Sequence, residues 1–253
     1  MELGLKGKRA LVTGATRGIG RAIAEQLAAE GASIAICART EAGVLSAAEQ
    51  LRRHGGQVVA NAVDVSDGEA LRAWVASAGE ELGGIDIVIS NPSGGGGPGE
   101  EGWNRIFNVD LMGAVRSVEA ALPFLQKSDA ASIVFISTTA AVEQFVLGSG
   151  PYGSLKAALI AYGNDVSQKQ GGAGIRCNVV SPGPILIEEG GWDRVRQGNP
   201  DLFASVVDAV ALKRMGTADE VANAVVFLAS PAAAFITGAN LIVDGGLTKR
   251  VNF

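Results

Sequence analysis

The stretch Arg9-Ala-Leu-Val-Thr-Gly-Ala-Thr-Arg-Gly-Ile-Gly20 decides the fold. An apolar run ends at Thr13, glycines follow at positions 14, 18 and 20, and Ile19 opens a segment of helical periodicity. A strand that feeds a helix through a glycine turn leaves backbone N–H groups at the helix N-terminus, and these bind phosphate. Glycine permits the tight turn and lets the backbone approach a pyrophosphate. Gly14, Thr16, Arg17, Gly18, Ile19 and Gly20 are therefore candidate cofactor contacts.

Outward from this turn, strand and helix signals alternate. Short apolar segments at 9–13, 33–38, 58–62, 86–90, 132–137, 175–180 and 240–243 read as strands. Helical patterns occupy 19–29, 42–53, 67–82, 102–125, 152–170 and 218–228. Such alternation predicts right-handed crossovers and an α/β fold: a Rossmann-type, doubly wound parallel sheet with helices on both faces. No linker divides the chain, so residues 1–253 read as one dinucleotide-binding domain. Two glycine- and proline-rich stretches, 92–102 and 183–201, follow strand ends and read as irregular loops. Ligands in open α/β sheets sit outside the carboxyl ends of strands, so both are candidate rims of a pocket. A substrate cover is expected near 183–213, with Trp192 and Phe203 as apolar contacts.

Composition narrows the function classes. The chain has 253 residues, 47% of them hydrophobic, which is enough for one large core. Net charge is −5 with no long basic block, which argues against nucleic acid as a partner. No apolar run reaches the roughly 18 residues of a membrane span, and the charged start Met1-Glu-Leu-Gly-Leu-Lys6 does not read as a signal peptide. Cys37 and Cys177, the two cysteines, lie in apolar strand-like segments and read as buried small residues, which fits a reducing cytoplasm. His54 is the one histidine, so a multi-histidine metal site is excluded, and its place beside Gly55-Gly56 reads as a solvated helix end.

The second decisive stretch is Tyr152-Gly-Ser-Leu-Lys156. Residues at this spacing share one face of a helix. A free phenol, with a pKa of about 10, is a poor base at neutral pH. A cation about 4 Å away supplies on the order of 4 kcal/mol toward the phenolate at an effective dielectric near 20. Tyr152 thus reads as a proton donor and acceptor, and Lys156 as the group that activates it.

The ordered set of motifs resembles the short-chain dehydrogenase/reductase family, on its 3-oxoacyl-carrier-protein reductase-like branch. The set comprises Gly14-x-x-x-Gly18-x-Gly20 with Thr13 before it, Asp64-Val65, Ser90-Asn-Pro-Ser-Gly94, Tyr152-x-x-x-Lys156, Ser181-Pro-Gly183, Ile236-Thr-Gly238 and Val243-Asp-Gly-Gly246. The resemblance implies cofactor contacts from Asp64, Val65, Asn91, Tyr152, Lys156, Pro182, Gly183 and Ile185. It implies an activity as well: hydride transfer between a nicotinamide cofactor and a carbonyl or secondary alcohol, with a small-molecule substrate. It further implies a homotetramer or homodimer. Relatives that reduce enoyl groups carry a longer Tyr-to-Lys spacing. A hydroxyl from Ser137-Thr-Thr139 should polarise the substrate oxygen. Counting back from Tyr152 by the family's spacing reaches Thr139, and aligning forward from the preceding strand reaches Thr138. Thr138 is preferred, with Ser137 and Thr139 as rivals.

Cofactor preference turns on the end of the second strand. NAD enzymes place a carboxylate there for the ribose 2′-hydroxyl. Ala38 stands at that position and Arg39 follows. A guanidinium binds a 2′-phosphate where a carboxylate repels it. NADP is therefore expected, with NAD possible, and Arg17 adds a second cation. The sequence also departs from the family. Asp110, in Val109-Asp-Leu-Met-Gly113, replaces an Asn of the family's proton relay. Ser90-Asn91-Pro92 replaces Asn-Asn-Ala, and Ile187 stands where a Thr often contacts the nicotinamide. The rival readings are an NAD(H)-dependent alcohol dehydrogenase of the same family and a dinucleotide-sensing binding protein with little turnover.

Overall fold

The structure is a computed structural model, and it describes residues 2–144 and 150–250. The strands are β1 (Arg9–Thr13), β2 (Ser33–Ala38), β3 (Val58–Ala62), β4 (Ile87–Ser90), β5 (Ser132–Ile136), β6 (Arg176–Pro182) and β7 (Asn240–Val243). They form one parallel sheet in the order β3-β2-β1-β4-β5-β6-β7. The order reverses between β1 and β4, where Thr13 pairs with Ser90. The crevice between two outgoing connections opens at that point.

Alternation along the strands divides the core in two. Ala10, Val12, Ile34, Ile36, Ile87 and Ile89 point to one face. There they pack against α1 (Gly18–Ala29), α2 (Glu41–Arg52) and α9 (Ala218–Ala229). Leu11, Ala35, Cys37, Val88, Ile133 and Phe135 point to the other. They meet α3 (Gly68–Glu81), α5 (Met112–Leu125) and α6 (Gly150–Gln170). Both faces of a parallel sheet must be covered, so β1, β2, β4, β5 and β6 are buried over almost their whole length, whereas the edge strands β3 and β7 are partly exposed. On the second face Gly163 lets α6 approach closely: a Cβ there would lie 2.7 Å from Val179 Cγ2. Phe135 and Tyr162 stack beside it with centroids 5.6 Å apart.

Local signals account for several boundaries. Asp67 caps α3, accepting from the N–H groups of Glu69 and Ala70. Thr217 and Glu220 form a capping box on α9.

Two expectations need correction. Residues 102–125 are not one α-helix: α4 runs over Gly99–Ile106, a π-helical turn over Phe107–Leu111, and α5 follows. α4 starts earlier than expected because Glu100 and Glu101 favour a first helical turn after Pro98. The stretch 183–201 is not irregular throughout: it holds α7 (Gly191–Gly198) and the start of α8 (Pro200–Ala209). The signal for α8 is plain in retrospect, since Asn199 caps it by accepting from Leu202 N–H and Pro200 takes its first turn. His54 is exposed just past the end of α2, as expected there, and its Nε2 lies 2.7 Å from Glu25 Oε1.

Candidate active site

The glycine turn is built by backbone contacts. Gly14 N–H donates to the Cys37 carbonyl at 2.9 Å, anchoring the turn to β2. Gly14 and Gly18 have φ of +67° and +57°, a region that L side chains rarely enter. At Gly20 the constraint is steric: a Cβ would lie 2.3 Å from both Gly14 O and Asn91 Nδ2. Asn91, just beyond β4, donates to Gly14 O through Nδ2 at 2.9 Å, and its N–H meets Thr13 Oγ1 at 3.4 Å. The two loops at the β1–β4 junction are thus tied together.

The N-terminus of α1 suits an anion. Arg17 is its N-cap and makes no side-chain cap, and no acidic residue occupies the first turn. The partial positive charge of that helix end is therefore not matched by a carboxylate of its own. Thr16 and Ile19 are half-buried beside the exposed Arg17. Arg39 is exposed just past β2. Asp64 lies near it, beyond β3, with Val65 buried next in the chain. The Ser66 N–H holds the Asp64 carboxyl below the usual carboxylate range, and the charge of Arg39 adds to this. On the far side, Gly183 N–H donates to Val243 O at 2.9 Å just after Pro182 ends β6. Ile185 is buried and bridges to Gly216. Ile187 lies over the glycine turn: a Cβ on Gly18 would be 3.0 Å from its Cδ1.

Tyr152 and Lys156 sit one turn apart on α6. Tyr152 is half-buried, and its hydroxyl has no hydrogen-bond partner among the described residues. Lys156 is buried. Its Nζ donates to Ile136 O at 2.8 Å and lies 2.9 Å from Asp110 Oδ1. Asp110 Oδ2 accepts from Gly94 N–H at 2.6 Å. Of the three hydroxyls after β5, Ser137 is buried and donates to Lys156 O at 3.0 Å, which commits its proton to α6. Thr139 is buried. Thr138 is half-buried and accepts from Ala140 N–H, so its own proton has no acceptor among the described residues.

The residues singled out from sequence therefore gather along the carboxyl ends of the strands. The phosphate-type donors lie beyond β1, Arg39 and Asp64 beyond β2 and β3, and Thr138, Lys156 and Tyr152 beside β5. Sequence reasoning missed the Gly94 N–H and the Ile136 carbonyl, because backbone groups carry no residue-type signal. Trp192 is half-buried in α7 and Phe203 half-buried in α8. Among the described residues no His/Cys/Asp/Glu group could hold a metal ion, and no helix is long and apolar enough to cross a membrane.

Comparison with known proteins gives the same assignment. Residues 14–248 match the family model described as enoyl-(acyl carrier protein) reductase. The chain is 39% identical to isoepoxydon dehydrogenase of Penicillium expansum over 260 residues, covering 100% of this chain and 99% of that protein. It is 34% identical to the 3-oxoacyl-[acyl-carrier-protein] reductase of Escherichia coli, covering 97% and 99%. The structure superposes on L-sorbose reductase from Gluconobacter frateurii, complexed with NADPH and L-sorbose, with a TM-score of 0.90 at 30% identity, covering 99% and 100%. These full-length matches, added to the ordered motifs and the β1–β4 crevice, place the chain in the short-chain dehydrogenase/reductase family of oxidoreductases.

Proposed function

We propose that this chain is an NADP(H)-dependent oxidoreductase that interconverts a carbonyl and a secondary alcohol, with Tyr152 passing the proton. The observation that carries the reading is the Tyr152 hydroxyl: half-buried, without a partner among the described residues, and one helical turn from a buried ammonium. A phenol so placed is free to meet a substrate oxygen.

The residues of the crevice fit a dinucleotide. The α1 N-terminus lacks a carboxylate, and the glycine turn leaves no side chain where a pyrophosphate would approach. Arg39 and Arg17 suit a 2′-phosphate. Bound there, the nicotinamide supplies or takes the hydride. Tyr152 gives its proton to the carbonyl oxygen in reduction and recovers it from the alcohol in oxidation. Lys156 stabilises the phenolate and holds ribose hydroxyls. Thr138 donates to the substrate oxygen, since Ser137 has spent its proton on α6. Asn91, Asp64, Val65, Pro182, Gly183 and Ile185 complete the cofactor walls. The segment from Ile187 through α8 covers the substrate, and the exposed Trp103 and Phe107 seat a second copy of the chain.

The test is absorbance at 340 nm with NADPH and with NADH over ketones, acyl thioesters, sugars and, in the oxidative direction, isoepoxydon. The wild-type chain is expected to turn over at least one of them. Tyr152→Phe should bind NADPH as the wild type does and lose turnover by about 10²- to 10⁴-fold. Tight NADPH binding with no oxidation across the panel would mark a dinucleotide sensor. Retained turnover in Tyr152→Phe would remove Tyr152 as proton donor.

A further inference from the structure

Position 110 carries a carboxylate between two donors. Gly94 N–H reaches Oδ2 at 2.6 Å, and Lys156 Nζ lies 2.9 Å from Oδ1. An amide at this place accepts through one atom only, so its NH2 would face a donor at the other end. The side chains of Lys156 and Asp110 are 3% and 0% exposed, and an unmatched charge at such depth is strongly destabilising. The approach to Oδ1 falls outside hydrogen-bond geometry, so charge and not a shared proton holds the pair. The lysine's directed bond goes to Ile136 O.

The backbone at this point is irregular as well. Asp110 belongs to the π-helical turn Phe107–Leu111, and such turns interrupt α-helices frequently at functional sites. The other cations on the flanking helices are engaged elsewhere. Arg105 of α4 reaches the Gly96 carbonyl, and Arg116 of α5 reaches the Ser66 carbonyl. On α6, Lys156 is the titratable group that meets this turn. Among the described residues Lys156 is the cation within ion-pair reach of Asp110.

The geometry points to Asp110 as a positioning residue that latches the glycine-rich loop after β4 to the active-site lysine and offsets that lysine's charge. The inference rests on Tyr152 and Lys156 acting as described above. Gly94 lies just beyond Asn91, which itself grips the glycine turn. One carboxylate therefore joins the cofactor cradle to the proton-transfer residues. Lys156 therefore presents the active site with one half of an ion pair and not with a bare ammonium.

Two measurements test this. In Asp110→Asn, the midpoint of the alkaline rise in kcat for alcohol oxidation should move down by roughly one to two pH units, the order expected on removing a unit charge roughly 6 to 12 Å away at an effective dielectric near 20. A lower rate at every pH with the midpoint unmoved, or a midpoint that moves up, would overturn the charge-offsetting role. In the wild-type chain, amide exchange at Gly94 should be on the order of 10- to 100-fold slower than at Gly96 in the same loop, as befits a hydrogen bond to a charged group. Equal exchange at the two glycines would overturn the latch, whether or not the variant folds. Failure of the Tyr152 assignment looks different: Tyr152→Phe stays active while the Gly94 protection persists.

Discussion

Asn91 Nδ2 donates to the Gly14 carbonyl at 2.9 Å, fastening the loop that leaves β4 to the turn that leaves β1. The two loops bound the crevice at the strand-order reversal, so the contact sets its width. Asn91→Ala removes the donor and leaves the Gly14 oxygen without it. NADPH affinity should fall by roughly 10-fold, with a stability loss of about 1 kcal/mol. Isothermal titration and thermal melting measure the two effects, and unchanged affinity would show that the crevice keeps its shape without this bond.

The exposed Arg39 is predicted to govern the choice between the two nicotinamide dinucleotides. Arg39→Asp replaces a bidentate donor with a like charge for the 2′-phosphate. The Kd for NADPH should rise by roughly 10- to 100-fold, while that for NADH changes little. Fluorescence titration of both cofactors gives the ratio, and an unaltered ratio would assign the preference elsewhere.

Asp86 and Arg9 supply a pH-dependent part of the stability. Asp86 accepts from Arg9 N–H at 2.8 Å, from Arg9 Nε and Nη2 at 2.8 and 2.7 Å, and from Ser128 Oγ at 2.6 Å. Burial pushes this carboxyl up, but the donors of Arg9 and Ser128 outweigh it and hold it below the usual range. A carboxyl depressed in the folded state adds stability above its unfolded pKa of about 3.9, and that stability disappears as pH falls through the folded value. Asp86→Asn should cost about 3 kcal/mol at neutral pH. The gap from wild type should shrink below about pH 4. Urea melts across the acid range would show this, and a gap independent of pH would contradict it.

The cysteines should be inert in the folded chain. Burial pushes both the Cys37 and the Cys177 thiol up to about 12, and both belong to the core. The thiolate is the reactive form. A thiol reagent such as Ellman's should register almost nothing under native conditions and both cysteines after unfolding in guanidinium. Fast native labelling of either would mean that the sheet opens.

Residue identity and spacing made much of this molecule legible. The glycine turn announces itself because glycine enters φ near +60° far more readily than other residues, and the Tyr152–Lys156 pair because the helical repeat brings them to one face. The strands read clearly because both sheet faces demand apolar side chains. The π-helical turn stayed hidden because its extra residue shifts the periodicity by less than a short window resolves. α7 and α8 were obscured by the glycines and prolines around them, although Asn199-Pro200-Asp201 is a helix start by its chemistry. The partners of Lys156 were half legible: Asp110 stood out as a departure, whereas the Ile136 carbonyl and the Gly94 N–H belong to every residue alike. The contact of His54 with Glu25 required the packing of α1 beside α2.

The pairing of Thr13 with Ser90 also bears on the order in which the chain matures. β2 and β3 are synthesised between these two residues, so the nascent amino-terminal portion emerges with only one wall of its nucleotide cradle. Closing that distant pair carries a loop-entropy penalty and belongs among the slower events of assembly. A ribosome-released fragment ending after β3 should therefore show no dinucleotide affinity, and nucleotide added during refolding should act only on molecules whose fourth strand is already in place.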